Sequence, residues 1–425
     1  MMRENVSASL CLASMLSLTA VHADDWPSWR GPTANGVGKT EVAADFSSSE
    51  NLLWKVKLPG RGCSTPVVVD GRIFVTSPIG KEDGVLAFDA SGKELWRKTL
   101  GTLRPGRGQR VGSSANSSPV TDGKTLFAYF KSGELAAFDF EGKELWNLNV
   151  FDKYGEDKLW WDVGTSPVVS SKGLVLAVMQ TDGKSFLLCL DKRTGKELWK
   201  VDRKFDTGVE SGDAYTTPHV VDVDGRETIV VWGADHLTGH SVETGEQLWV
   251  CGGFNPKKLK AWRVIASPVI TDGVAVVPFG RGEFTAGVKL GGSGDITESA
   301  VLWRSTKCGS DSATPVARDG MAYILNDSGK DRGKVTCMDA QSGEIKWQSK
   351  LPRGAQIYYA SPVITGDTFL AAREDGTLFS AKIGSEGLEN VQEHEIGEDL
   401  IASPVVVDDR ILLRGGAHLM AFGKK

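Results

Sequence analysis

The sequence predicts an all-β fold: an eight-bladed β-propeller of four-stranded antiparallel blades, closed by an N-terminal strand. Three observations predict it. A phrase of about 50 residues recurs from end to end, running Ser/Thr-Pro, hydrophobic run, Asp-Gly, second hydrophobic run, third strand, Gly-Lys-Glu and Trp. Repetition at a fixed period marks an architecture of stacked like units. Pro66, Pro119, Pro167, Pro218, Pro268, Pro315, Pro362 and Pro404 each follow Ser or Thr, which sets the number of units at eight. Trp96, Trp146, Trp199, Trp249, Trp303 and Trp347 close the first six units, while Trp54 lies ahead of the first and the eighth stops at Phe422.

The elements follow in order within each unit. An innermost strand begins at the Ser/Thr-Pro, as in Pro66-Val67-Val68-Val69, and Asp70-Gly71 turns it into a second β-branched run, Ile73-Phe74-Val75. Asp-Gly between alternating or β-branched runs is a tight hairpin signal. A third strand leads through Gly92-Lys93 to the fourth, which carries Trp96. No segment shows sustained helical periodicity. The strand Asn51-Leu52-Leu53-Trp54-Lys55-Val56 supplies the missing fourth strand of the eighth unit, so that no sheet edge is left at the seam.

One ring consumes nearly all of the 425 residues. Residues 1–23 read as a secretory signal, with Arg3, an apolar run from Leu10 to Ala20 and the small-x-small site Val21-His22-Ala23. That run is too short to span a bilayer, and the mature chain is expected to have no transmembrane span. Residues 24–50 form an N-terminal lead-in, and 51–425 a single propeller. The expected location is periplasmic or secreted, with cleavage near Ala23, and the expected state is a monomer. A formal charge of −5 and the lack of a basic stripe along the strands exclude nucleic acid. The basic run Arg104-Pro105-Gly106-Arg107-Gly108-Gln109-Arg110 is expected to be a solvated loop.

Beyond Cys11 there are five cysteines, so at least one stays unpaired in a monomer. Cys189 and Cys337 share one repeat position and read as small buried hydrophobes. No histidine sits in a hydrolase motif. His236 and His240, four apart on loop and strand, are expected to be structural, and no metal site is expected.

In a four-stranded blade the A–B and C–D turns share one face, and the B–C loops and D-to-A crossings share the other. The first face carries minimal turns; its one insertion, Gly291-Gly292-Ser293-Gly294-Asp295, is expected to be a flexible tip. The crossings on the other face are rich in aromatic and charged residues, the chemistry of contact surfaces. The binding-face candidates are therefore Trp160, Trp161, Asp162, Glu210, Asp213, Tyr215, Arg263, Tyr358 and Tyr359. The seven tryptophans at repeat positions, Trp54 included, read as blade-docking residues rather than stacking platforms.

The repeat, as in Leu86-Ala87-Phe88-Asp89-Ala90-Ser91-Gly92-Lys93-Glu94-Leu95-Trp96, resembles the tryptophan-docking motif of the pyrroloquinoline quinone (PQQ) repeat family over almost the whole mature chain. The lead-in Asp25-Trp26-Pro27-Ser28-Trp29-Arg30-Gly31-Pro32 also looks like the start of such proteins. The resemblance implies one of two roles. One is that of the non-enzymatic propellers of the outer-membrane β-barrel assembly machinery, which bind partners; it implies an exported protein or glycan partner and no cofactor. The alternative is a quinoprotein alcohol dehydrogenase holding PQQ and calcium in the axial funnel, with Asp162 as the candidate base. Against the alternative, the chain has no adjacent Cys-Cys pair. It also matches the family's Asp-x-Trp-Asp-x-Asp segment only at Trp161-Asp162, and has Phe254 where the family's Gly-Asn-Pro has glycine. The non-enzymatic reading is preferred.

Overall fold

The computed structural model describes residues 24–42, 49–107 and 111–424. The signal segment 1–23 and the tip of the basic run at 108–110 lie outside them. Eight sheets form the eight blades. Blade 1 is representative, with Val67–Val69 (strand A, innermost), Arg72–Ile79 (B), Glu82–Asp89 (C) and Glu94–Thr102 (D, outermost) paired antiparallel in that order. The Asp-Gly turns adopt the conformation their residues favour: Asp70 and Gly71 have φ of 50° and 68°, as a type I′ hairpin requires. Blade 8 holds Val405–Val407, Arg410–Arg414 and His418–Phe422, and its outermost strand is Leu52–Lys57, so the two ends of the chain close the ring in one sheet.

The repeat tryptophans sit on strand D opposite a small residue of strand C: Ala421, Ala87, Ala137, Cys189, Gly239, Gly287 and Cys337 face Trp54, Trp96, Trp146, Trp199, Trp249, Trp303 and Trp347. The small partner leaves room for the indole. Trp54, Trp96, Trp146, Trp199 and Trp303 each donate Nε1–H to a carbonyl in the C–D turn of the next blade, at 2.8–3.0 Å. The ring also lies on that turn's glycine. A Cβ at Gly92, Gly142, Gly195, Gly245 or Gly343 would meet the indole at 2.5–2.7 Å, and all five have positive φ. Trp146, Trp199, Trp249 and Trp347 are buried, and the other three partly so. Cys189 and Cys337 thus owe their place to size, and all five described cysteines are free thiols.

The blade 5 insertion departs from expectation. Gly294–Asp295 pairs in parallel with Trp249–Val250 and covers the outer edge of blade 4, followed by a short helix, Thr297–Ala300. A strand edge offers unpaired N–H and C=O groups, and this segment satisfies some of them rather than hanging free.

At the axis the Ser/Thr of every Ser/Thr-Pro takes part in a closed ring. The N–H of Thr65 donates to Ser118 Oγ, and the pattern continues through Ser166, Thr217, Ser267, Thr314, Ser361 and Ser403 back to Thr65 Oγ1, at 2.9–3.3 Å. Proline holds the preceding residue extended and offers no N–H of its own, so the Ser/Thr amide is left to reach the next blade. Each bond ties neighbouring blades at the point nearest the axis.

The lead-in segment fills the channel below this ring. Trp26 pairs with Val68, Pro27 O accepts from Thr121 N, and Asn35 exchanges hydrogen bonds with Ile270 at 2.7 and 3.1 Å. Asn35 O and Gly36 O then accept from Ala317 N and Ile364 N. Each strand residue lies three positions after its blade's ring Ser/Thr, so the plug is one layer about 10 Å deeper at ~3.3 Å per residue. Trp26 is fully buried there, and Arg30 is held by Pro315 O at 2.8 Å. Burial pushes the Arg30 guanidinium down to about 9, which leaves it charged at neutral pH. Among the described residues the plug fills the channel on the Asp-Gly turn side of the ring, and the cavity on the other side, a funnel, is lined by crossing residues.

Candidate functional site

The funnel encloses about 310 Å³, at the small end of ligand pockets, which run to roughly 300–1,000 Å³. Its floor comprises ring residues Thr65, Ser118, Ser166, Ser361 and Ser403, with Trp29 of the plug; aromatic walls come from Trp161, Tyr215 and Tyr359. These positions follow from the topology: every D-to-A crossing must descend to its Ser/Thr-Pro, so the last residues of each crossing line the axis.

The crossing into blade 3 is held by several hydrogen bonds. Asp213 accepts from Trp160 N at 2.9 Å and from Thr181 N at 2.7 Å. Trp161 donates its backbone N–H to the Tyr215 hydroxyl at 3.2 Å and its indole N–H to Glu210 at 3.4 Å. Burial, with Asp213 next, raises the Tyr215 phenol well above its ordinary value and keeps it neutral. Trp161 is thereby fixed edge and backbone. Asp162 Oδ1 accepts from the Lys131 ammonium and from Arg107 N at 3.2 Å, and Lys131 also donates to Pro105 O at 2.8 Å. Both side chains of this pair are almost wholly buried. Asp162 is among the residues that line the funnel, and its Oδ2 is buried beside Gly106 with no hydrogen-bond partner among the described residues. Across the funnel Arg263 grips Asp311 through Nη2–Oδ2 at 2.5 Å and Nε–Oδ1 at 3.3 Å.

Of the nine binding-face candidates, Trp161, Asp162, Tyr215, Arg263 and Tyr359 meet in the funnel. Glu210 and Asp213 stand behind them as supports. Trp160 is at the mouth, 57% exposed. Tyr358 is buried, with its ring against Phe379 at 6.1 Å and its N–H on Asp327 O; it belongs to the packing between blades 6 and 7. Over its described part the basic run is exposed at Arg104, Pro105 and Arg107, as expected of a solvated loop, but it is pinned to the neighbouring crossing. Arg104 pairs with Asp157 at 3.1 Å, and Arg107 bonds Trp160 O and Asp162, which ties the described part of the run to the crossing into blade 3. Sequence reasoning missed Lys131, Asn116, Cys63 and Trp29. The signal for Trp29 was a tryptophan outside the repeat register; for Lys131 it was a charge directly after the aromatic run Tyr129-Phe130.

His236 stacks on Phe205 at 4.0 Å and His240 bonds Gly245 O and Thr238, so neither is placed as a metal ligand. Calcium takes six to eight oxygen ligands, several of them carboxylates. The funnel lining offers one carboxylate, Asp162, already engaged by Lys131, and no group of three His, Cys, Asp or Glu suited to a metal occurs among the described residues. The donor set does not fit a calcium–quinone site.

The geometry has counterparts among known proteins. A solved europium-containing methanol dehydrogenase superposes with a TM-score of 0.74 at 12% identity, covering 94% of this chain and 98% of that one. BamB from Moraxella catarrhalis gives 0.61 at 14% identity, covering 88% and 97%. These likenesses speak to the fold. The outer membrane protein assembly factor BamB of Bordetella pertussis is 22% identical over 383 residues, 85% of this chain and 87% of that protein. That of Shewanella oneidensis is 23% identical over 427 residues, 95% and 90%. The family model described as outer membrane protein assembly factor BamB matches residues 33–182, 161–294 and 295–422, which spans the propeller from plug to last strand, and the chain belongs to that family of PQQ-like repeat propellers.

Proposed function

We propose that this chain is an exported, periplasmic scaffold that docks protein partners on its crossing face in the course of outer-membrane protein assembly. The observation that carries the reading is the asymmetry of the two faces. One is made of short turns, mostly Asp-Gly and Gly-Lys, apart from the blade 5 insertion. The other holds Trp160 exposed beside a rim of paired charges, Arg104–Asp157 and Arg61–Asp399. An aromatic anchor ringed by oriented polar groups is how protein contacts concentrate their energy. The family supplies the class of partner, and the signal-like sequence of residues 1–23 supports export. The dehydrogenase alternative finds no support in the donor set of the funnel.

The test is site-directed photocrosslinking of the mature chain in a periplasmic extract containing the β-barrel assembly proteins. Probes at Trp160 and Arg107 are expected to trap a partner, and probes in the turns at Asp272 and Asp319 to remain free. Crosslinks confined to the turn face would sink the reading.

A further inference from the structure

The funnel lies deeper than the rim, on the ring of Ser/Thr residues. Two of its acceptor atoms, Asp162 Oδ2 and Asn116 Oδ1, are buried without a hydrogen-bond partner among the described residues, and both residues line the cavity. A buried acceptor left unpaired loses its hydration without compensation, so such atoms mark where a donor is meant to arrive. The ring hydroxyls of Ser118 and Ser166 add the opposite polarity. Their oxygens accept N–H from Thr65 and Ser118, which leaves each O–H free to donate into the lumen.

Charge narrows the ligand class. The Asp162 charge is balanced by Lys131 and that of Arg263 by Asp311, so the described lining is neutral pair by pair. An ammonium ligand would meet Arg263, and a carboxylate ligand would meet Asp162. A neutral molecule with several hydroxyl donors and acceptors suffers neither repulsion. The aromatic walls, Trp161 and Tyr359 above Trp29, add the requirement of a flat apolar face.

The geometry points to a binding site for the ring of a neutral sugar in this funnel, with its hydroxyls donating to Asp162 Oδ2 and Asn116 Oδ1 and its C–H face on Trp161. The site lies inside the ring of crossings rather than on the rim, and it rests on no protein partner.

The experiment is calorimetric and tryptophan-fluorescence titration of the mature chain with glucose, N-acetylglucosamine and maltose, beside glucosamine, glucuronate and N-acetyltyrosinamide. At least one neutral sugar is expected to saturate, with glucosamine and glucuronate at least about tenfold weaker. Asn116→Ala and Trp161→Ala, both off the blade-docking positions, are expected to lose the signal while circular dichroism is unchanged. Four results would overturn the assignment: no saturation by any neutral sugar at tens of millimolar, preference for either charged analogue, tighter binding of N-acetyltyrosinamide than of every sugar, or undiminished sugar binding by both variants. Because no partner protein is present, failure here leaves the docking reading to its own crosslinking test.

Discussion

Lys131, on the B–C loop of blade 2, places its ammonium on Oδ1 of Asp162, in the crossing into blade 3, with side chains only 2% and 4% exposed. Two blades and the wall of the funnel are joined by this pair. Removing one partner strands a charge on an almost wholly buried side chain, which typically costs about 3–5 kcal/mol. Lys131→Met is therefore expected to lower stability by that amount in urea unfolding, and Lys131→Met with Asp162→Leu to recover most of it. A single variant as stable as the parent would contradict the pairing.

The tryptophans separate into two energetic classes. Trp146→Ala empties a buried slot between blades 2 and 3 and is expected to cost about 3–5 kcal/mol. Trp160→Ala, exposed at the mouth, should stay within about 0.5 kcal/mol. Thermal and urea unfolding of the two variants side by side check the contrast.

The axial ring predicts a specific cost for a small change. In Ser166→Ala the buried N–H of Ser118 loses its acceptor, at about 1–3 kcal/mol, while Ser166→Thr keeps an oxygen in place and should cost less. Slower hydrogen exchange at Ser118 in the parent than in the alanine variant would locate the effect.

Two buried histidines give the fold an acid liability. Burial pushes His219 and His240 down to about 4, against about 6.5 in an unfolded chain. Between those values the unfolded state binds more protons, so each contributes stability near pH 7 that is lost as the pH falls from about 6.5 to about 4. Asp83 and Asp235, pushed up to about 6 by burial, act in the opposite sense over the lower part of that range. Replacing His240 with Gln isolates one share. The variant is expected to lose less stability than the parent between pH 7 and pH 4.5, by on the order of 2 kcal/mol. Equal losses would show that His240 is not held neutral.

Closure of the ring by Leu52–Lys57 makes the seam a predicted weak point. Deleting residues 51–57 bares the edge of His418–Phe422 and removes the Trp54 contact with the turn at Ala90. The expected outcome is a marked fall in melting temperature with new concentration-dependent association, read by light scattering. An unchanged melt would refute closure.

The sequence by itself determined the blades. The Ser/Thr-Pro, Asp-Gly and Gly-Lys-Glu-Leu-Trp signals each act within one unit, through turn conformation and strand alternation, so eight repetitions specify eight sheets, and the unmatched Trp54 strand specifies the seam. The tryptophan positions were legible for the same reason, although the small residues opposite them, Cys189 and Gly239 among them, explain themselves only in the paired strands. The funnel was legible in part. Trp161, Asp162, Tyr215, Arg263 and Tyr359 could be read as one face because crossings alternate with turns, but which of the crossing residues descend to the axis depends on how neighbouring blades buttress them. Tyr358 and Tyr359 are adjacent in sequence and point to different environments. Only the tertiary structure decided that the eight Ser/Thr residues bond in a circle, that Asp24–Val42 runs beneath them as a plug, and that Lys131 neutralises Asp162. Each of these joins residues dozens to hundreds of positions apart, through single hydrogen bonds or charges that leave no periodic trace along the chain.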